Sequence, residues 1–247
     1  MATRVHGNRS GRLQTSLWKI ALGVVLLSAF ASVSRTWAHD DIEERTKNDR
    51  NERRDGQANE HDWPMIGHDP ANTRNQPFER RITPRNVGRL WPKWVSTTAG
   101  DVSATPAVVN GAVYFGDFGG MIWKLDAKTG TEIWSHRVPD YTGNAGDYAR
   151  TSPLLAGNTL VVGIIKGSPT VPGPNMLGID ASTGALRWTS QIHPDPHAAM
   201  TGSPLLVGNT VITGISANSA SAPATAVFRG AIVALNAQTG AIRWRTY

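Results

Sequence analysis

The sequence LDAKTGTEIW at residues 125–134 returns twice further along the chain, as IDASTGALRW at 179–188 and LNAQTGAIRW at 235–244. In each copy a tryptophan follows the glycine by four positions, and the three tryptophans lie 54 and 56 residues apart. A repeat of this period in a glycine-rich chain is typical of a propeller or a solenoid, in which each unit packs against the next. Because this packing needs the same residues in every copy, we interpret the tryptophans and the Thr-Gly turns as structural.

Each repeat also begins alike, with the tetrapeptides SATP at 103–106, RTSP at 150–153 and TGSP at 201–204. A short apolar run follows, and then a two-residue turn that supplies the positive φ values of a tight hairpin. The turns are Asn110-Gly111, Gly157-Asn158 and Gly208-Asn209. The next strands are predicted at 112–115, 160–165 and 211–215, with a third strand before the Thr-Gly turn and a fourth that carries the tryptophan.

Four antiparallel strands per repeat make one propeller blade. We therefore predict an all-β fold over residues 61–247: an incomplete β-propeller of about three blades, with an N-terminal strand segment before them. Exposed strand edges are expected where the ring does not close.

Residues 1–38 predict a secretory signal peptide. Basic residues precede an almost wholly apolar run at 20–30, and small and polar residues then lead to a cleavage site after Ala38. A membrane anchor is the alternative, but a single span needs about 20 apolar residues, roughly twice this run. Residues 39–60 are densely charged in both signs and predict a disordered linker. The mature protein is expected to be periplasmic or secreted, with no membrane span after processing.

Charge and cysteine content exclude several function classes. The chain holds 25 basic and 19 acidic residues, and the predicted leader takes five of the basic and none of the acidic ones, which leaves a net charge of +1. This balance gives no support for nucleic-acid binding. The chain has no cysteine, so it can form neither a disulfide nor a covalent haem attachment. Any electron acceptor would be a separate molecule.

The repeat itself predicts where a ligand site would lie. In a propeller blade the first strand lines the central channel, and its start lies on the same face as the end of the antiparallel second strand. Three different polar side chains stand at equivalent positions, three residues before each repeat's proline. They are Ser103, Arg150 and Thr201. The loops after the second strands, at 166–175 and 216–229, are enlarged on the same face, which favours a ligand site there.

Structural roles remain open for these residues. Arg150 could instead form an ion pair with Asp147, and Ser103 and Thr201 could cap turns. The sequence His193-Pro194-Asp195-Pro196-His197 has a spacing that could hold a metal on a strand, but its two prolines favour a loop.

A family resemblance rests on DWPMIGHD at 62–69, ANTR at 71–74 and VGRL at 87–90. These segments resemble the beginning of the quinoprotein alcohol dehydrogenases that bind pyrroloquinoline quinone (PQQ), and the repeats are similar to the blades of that family. The resemblance covers residues 61–247 and is strongest to the polyvinyl-alcohol dehydrogenase branch. It implies an eight-bladed propeller with the quinone on its axis and Ca²⁺ beside it.

The resemblance also implies roles for individual residues. Arg150 matches an arginine beside the quinone, Thr201 matches a threonine that bonds a quinone carboxylate, and Ser216-Ala217 match a segment that bonds another. Ser103 stands where some members carry glutamate. Asn218 stands near the position of a calcium ligand, although that ligand is usually glutamate.

The family's catalytic aspartate lies in later blades, and we find no candidate catalytic residue in the matching part. The sequence is therefore interpreted as the N-terminal portion of an exported PQQ-dependent alcohol dehydrogenase, either a fragment or a truncated product, and inactive alone. The intact relative would oxidise an alcohol, with a polymer among the candidates, and pass electrons to a separate cytochrome c. The alternative is a non-catalytic periplasmic propeller scaffold that binds protein partners, of the outer-membrane assembly type.

Overall fold

The computed structural model of the protein describes residues 59–167, 173, 175–217 and 228–247. The predicted signal peptide, all but the last two residues of the predicted linker, and Asn218 lie outside these ranges. Within the part of the chain that the structure describes, no helix has both the length and the apolar character needed to cross a membrane.

The described residues form three antiparallel sheets, one for each repeat. The first blade has the order β1-β2-β3-β4. Its strands are β1 (Ala107–Val109), β2 (Ala112–Gly116), β3 (Met121–Asp126) and β4 (Glu132–Arg137). A short helix, α1 (Val138–Thr142), leads from it to the second blade, and a 3₁₀ turn at Val87–Arg89 lies in the segment before β1.

The second and third blades repeat this pattern with one addition, since their innermost strand consists of two pieces. The second blade contains β5 (Tyr148–Ala149), β6 (Leu154–Ala156), β7 (Thr159–Ile165), β8 (Met176–Asp180) and β9 (Leu186–Ser190). The third blade contains β10 (Ala198–Ala199), β11 (Leu205–Val207), β12 (Thr210–Ala217), β13 (Ala231–Asn236) and β14 (Ile242–Thr246). The three predicted second strands are confirmed as β2, β7 and β12, each within two residues of its predicted bounds.

The break in the innermost strand corrects the expected position of Arg150. β5 and β6 both pair with β7, through Ala149 opposite Ile164 and Leu154 opposite Val161. The segment 150–153 therefore bulges out of the ladder, since it faces only two residues of β7, and its proline has no N–H to give to the ladder. Arg150 lies in this bulge and not at the start of the strand. Thr201 has the same position between β10 and β11.

The glycine of each predicted hairpin turn has a positive φ. Asn110 and Gly111 both have positive φ, 51° and 74°, as a two-residue type I′ turn requires, whereas in the second and third blades only Gly157 (59°) and Gly208 (57°) are positive. The Thr-Gly turns, between the third and fourth strands of each blade, are stabilised by a side chain. In the first blade, Asp126 Oδ1 accepts hydrogen bonds from the backbone N–H of Lys128 at 2.9 Å and of Thr129 at 2.7 Å. Asp180 and Asn236 do the same in the other repeats.

The repeat tryptophans join neighbouring blades. Trp134 donates its indole N–H to the carbonyl of Ala181 at 3.3 Å, and Trp188 donates to Ala237 at 3.2 Å. The Trp188 ring lies so close to the turn glycine Gly240 of the next blade that a Cβ there would collide with it. At the turn glycine Gly184, a Cβ would collide with the ring of His136, which lies beside that of Trp134. Both tryptophans are buried, while Trp244 is 46% exposed.

A further tryptophan outside the repeat pattern, Trp94, makes the same contact with the first blade. Its indole N–H donates to the carbonyl of Ala127 at 3.1 Å, and its ring lies against Gly130. The segment before β1 also touches the blades at Trp63, which forms an antiparallel bridge with Val108.

Two apolar clusters form the core, one between the first and second blades and one between the second and third. The first includes Leu160, Val162 and Ile164, and the second includes Val161, Met176 and Trp188. Alternate residues of β7 thus pack against opposite neighbours, which explains why every residue of this strand is buried.

Candidate cofactor-binding site

The candidate site lies on the face of the blades that carries the bulges of the innermost strands and the loops after the second strands. We call it the axial face and define it by Ser103, Arg150, Thr201, Ser216 and Ala217. A ladder of two hydrogen bonds connects the residues that precede the prolines of the three repeats: Thr105 N–H donates to Ser152 Oγ at 3.0 Å, and Ser152 N–H donates to Ser203 Oγ at 2.9 Å.

Arg150 is exposed, and its guanidinium lies over the ring of Phe118, 5.9 Å from the ring centroid. The ion pair with Asp147 that the sequence left open is not formed. Asp147 is buried, and its Oδ1 accepts a hydrogen bond from the N–H of Gly167 at 2.9 Å. Among the described residues, no carboxylate lies within ion-pair distance of Arg150. None of the described hydrogen bonds or ion pairs uses its N–H groups, so no described residue competes with a ligand for them.

The third blade brings together the other predicted residues. Thr201 Oγ1 and Ser216 Oγ lie 3.1 Å apart within hydrogen-bonding distance, and both residues are exposed. Ala217 follows Ser216 at the end of β12, where it pairs with Ala198 of β10. Thr201 thus makes its described side-chain contact with Ser216 and not with a turn. Ser103 is exposed and precedes β1, and no described contact links it to Arg150 or Thr201.

The second blade also buries three polar side chains to which the sequence assigned no ligand-binding role. Lys166 at the end of β7 has a buried Nζ, Asp147 a buried Oδ2 and Asn175 a buried Oδ1, and none of these atoms has a hydrogen-bond partner among the described residues. Burial lowers the pKa of Lys166, and the charges of Asp147 and Asp195 oppose this effect. The only sequence signal was a lysine directly after the apolar run of β7.

The His193–His197 segment, whose spacing could hold a metal on a strand, contains no strand residue. It is a loop between β9 and β10, as its prolines indicated. His193 Nδ1 accepts the N–H of Asp195 at 3.1 Å, while Nε2 lies 3.1 Å from the carbonyl of Arg229, so both ring nitrogens are engaged. Asp195 Oδ1 in turn accepts the N–H of His197 at 2.8 Å. Over the described ranges, no group of three or more acidic, histidine or cysteine side chains could hold a metal ion.

The chemistry of the axial face suits an anion. It offers one permanently charged guanidinium, whose planar fork matches a carboxylate, and a pair of hydroxyls beside the end of a strand. A ligand that carries several carboxylates could use both groups of donors. The residues present therefore fit a polycarboxylate such as PQQ. Asn218, the predicted metal ligand, lies outside the described residues.

Comparison with known sequences identifies a matching family and several similar proteins. Residues 80–247 match the PQQ_2 sequence family, which is described as outer membrane protein assembly factor BamB. A polyvinylalcohol dehydrogenase of a Pseudomonas species is 29% identical over 190 residues, which are 75% of this chain and 29% of that protein.

Solved structures give the same similarity. The quinohemoprotein alcohol dehydrogenase ADHIIG of Pseudomonas putida HK5 is 26% identical with a TM-score of 0.61, over 76% of this chain and 27% of that one. The corresponding enzyme of Comamonas testosteroni is 27% identical with a TM-score of 0.57, over 75% of this chain and 27% of that one. The chain thus spans less than a third of the length of these relatives.

Proposed function

Because the chain belongs to the PQQ_2 family and is a propeller of the PQQ-dependent alcohol dehydrogenase type, we propose that it is the N-terminal portion of an exported enzyme of that type. The observation that carries the proposal is the exposed Arg150 guanidinium, which faces no described carboxylate on the axial face. The neighbouring blade supports it with the hydroxyl pair of Thr201 and Ser216.

Arg150, Thr201 and Ser216 would bind the carboxylate groups of the cofactor. Arg150 would hold one carboxylate with two parallel N–H donors, and Thr201 and Ser216 would donate hydroxyls to another, beside the backbone N–H of Ala217. Ser103 occupies the equivalent position of the first blade and would add a weaker contact. Asn218 would offer a neutral oxygen to Ca²⁺.

When bound, the quinone would supply the hydride acceptor for an alcohol, with Ca²⁺ as a Lewis acid. The described residues of the axial face would bind and orient this group, and the family resemblance leaves the catalytic base to later blades. We therefore expect no alcohol oxidation by this chain alone. The whole enzyme would act on an alcohol, with a polymeric one among the candidates, and deliver electrons to a separate cytochrome c.

Quinone binding by the purified chain tests the proposal. We expect PQQ with Ca²⁺ to quench tryptophan fluorescence saturably, and Arg150→Met to weaken binding at least about tenfold, since it removes a charge-assisted bidentate contact worth about 1.5–3 kcal/mol. Arg137→Met is the matched control, because Arg137 lies at the end of the outermost strand β4. An equal loss in both variants, or no saturable binding by the unaltered chain, would reject the proposed cofactor site.

Export is a separate part of the proposal. We propose that residues 1–38 are a leader, that 39–60 link it to the propeller, and that the mature protein is periplasmic or secreted. The intact mass of the exported protein checks this, because cleavage after Ala38 gives a defined value.

The alternative is a non-catalytic scaffold that binds protein partners, of the outer-membrane assembly type that the description of the matched family names. A scaffold of that kind has no use for a guanidinium and paired hydroxyls on the axial face. It would leave PQQ unbound in the titration and would bind a protein partner through the same blades, so the titration separates the two functions.

A further inference from the structure

We propose that Phe118 is a positioning residue for Arg150: its ring supports one face of the guanidinium, so that the N–H edge stays directed to an anionic ligand. The inference rests on the proposed function, because the arginine that Phe118 would orient is the one proposed to bind a quinone carboxylate. Nothing in the repeat pattern indicates this role, since Phe118 belongs to the first blade and Arg150 to the second.

The contact joins three side chains of neighbouring blades. The Arg150 guanidinium carbon lies 5.9 Å from the centroid of the Phe118 ring, within the range of a cation–π interaction. Phe118 in turn meets Tyr148 edge to face, with ring centroids 5.3 Å apart and an interplanar angle of 67°. Tyr148 belongs to β5, two residues before Arg150, so the second blade contacts the Phe118 ring through both residues.

The backbone beneath Phe118 is held firmly. The preceding residue, Asp117, is fully buried, and its carboxylate accepts three hydrogen bonds: from Met121 N–H at 3.0 Å, from Ala99 N–H at 3.0 Å and from the Trp123 indole at 2.8 Å. Phe118 N–H itself donates to the carbonyl of Asp101 at 3.0 Å. A ring on such a loop can serve as a fixed support.

An aromatic support leaves the binding capacity of the arginine intact. If an aspartate or glutamate of the protein paired with Arg150, it would occupy the in-plane N–H groups of the guanidinium, which are the groups that a ligand carboxylate needs. A ring instead takes the flat face of the guanidinium and leaves its edge free. Phe118 is 41% exposed, so both the ring and the cation above it are open to the solvent side of the axial face.

The test compares variants of the full chain in the PQQ and Ca²⁺ titration. Phe118→Leu is expected to raise the dissociation constant about two- to fivefold, the range of an exposed cation–π contact, and Phe118→Tyr to restore it. Phe78→Leu is the matched control, because Phe78 has a similar exposure of 47% and no described cation on its ring. Equal affinity of Phe118→Leu and the unaltered chain would overturn the inference while leaving the proposed function intact.

A double-mutant cycle separates positioning from direct contact. If Phe118 acts through the arginine, Phe118→Leu has no effect in an Arg150→Met background, whereas an undiminished effect there means that Phe118 touches the quinone itself and overturns the inference. The NMR signals of the Arg150 side chain give a second readout without ligand, because the ring current over Phe118 shifts them and Phe118→Leu should abolish that shift. No shift in the unaltered chain would also overturn the inference. If the unaltered chain binds no quinone, the proposed function is rejected, and the inference about Phe118 is rejected with it because it then has no ligand.

Discussion

At the scale of single residues, the turn motif shows how one geometry tolerates two chemistries. Asp126, Asp180 and Asn236 each use Oδ1 to accept the same two backbone N–H groups, so a carboxylate and an amide serve equally as acceptors. They differ in their response to pH. Asp180 also forms an ion pair with Arg187, and the hydrogen bond from Arg187, followed by those from the turn, holds the pKa of Asp180 well below its usual range.

The first prediction concerns acid stability. A carboxyl whose pKa is depressed by folding stabilises the protein above its ordinary pKa near 4, and this contribution is lost as the pH falls through the folded-state value. Asp180→Asn keeps the turn acceptor but removes the charge. We expect it to lower the free energy of unfolding at pH 7 and to have a smaller effect at pH 3, measured by urea unfolding.

Asp140→Asn is the control for this experiment, because it removes one exposed negative charge from α1 without touching a turn. The difference between the two variants isolates the ion pair of Asp180 with Arg187 from the change in net charge. If both lose the same stability at pH 7, the ion pair of Asp180 contributes nothing measurable.

At the scale of the elements, the residue before each repeat's proline links one blade to the next. The hydroxyl of Ser152 accepts the N–H of Thr105, and the hydroxyl of Ser203 accepts the N–H of Ser152. The bulge that carries Arg150 is therefore held from both sides by its neighbours. Proline supports the arrangement, because it keeps the preceding residue extended and has no N–H to give to the ladder of backbone hydrogen bonds at that point.

The second prediction tests this ladder. Ser152→Ala removes the acceptor of the Thr105 N–H and should lower the free energy of unfolding by about 1 kcal/mol, the net value of a typical hydrogen bond. Ser103→Ala is the matched control, because Ser103 is exposed and precedes β1, and it should change stability by less than about 0.5 kcal/mol. Chemical denaturation of both variants gives the comparison, and equal losses would mean that the ladder is only a consequence of packing.

The sequence predicted the strands and turns within each repeat, but fewer of the contacts between repeats. The blades, the hairpin turns and the docking tryptophans follow from local patterns, and all appear in the structure. The repeat pattern did not predict the role of Trp94, because no Thr-Gly turn precedes this residue. The contact of Arg150 with Phe118 could not be read either, since it joins loops of two blades whose residues differ from copy to copy. The split of the innermost strand likewise depends on pairing with β7, which the proline alone did not reveal.

At the scale of the whole molecule, each blade is attached by a tryptophan that its neighbour supplies. Trp134 and Trp188 each donate a hydrogen bond to the next blade, and Trp94 attaches the segment before β1 to the first blade. Residues 80–93 before this anchor are exposed throughout and contain five basic residues and no acidic one. The described hydrogen bonds of these residues stay within residues 79–90, and the next hydrogen bond to a blade along the chain is that of Trp94.

The last prediction follows from this attachment. Trp94→Ala removes both the hydrogen bond to Ala127 and the ring that covers Gly130. If trypsin cuts the segment only after it detaches, losing about 1–2 kcal/mol of docking should accelerate cleavage after Arg89 by roughly five- to thirtyfold. Trp91→Ala is the matched control, since Trp91 is 88% exposed and should leave the rate unchanged. Cleavage sites mapped by mass spectrometry decide the outcome. Equal rates in the two variants would mean that other contacts hold the segment, and Trp94 would then be a packed residue of the first blade and not its anchor.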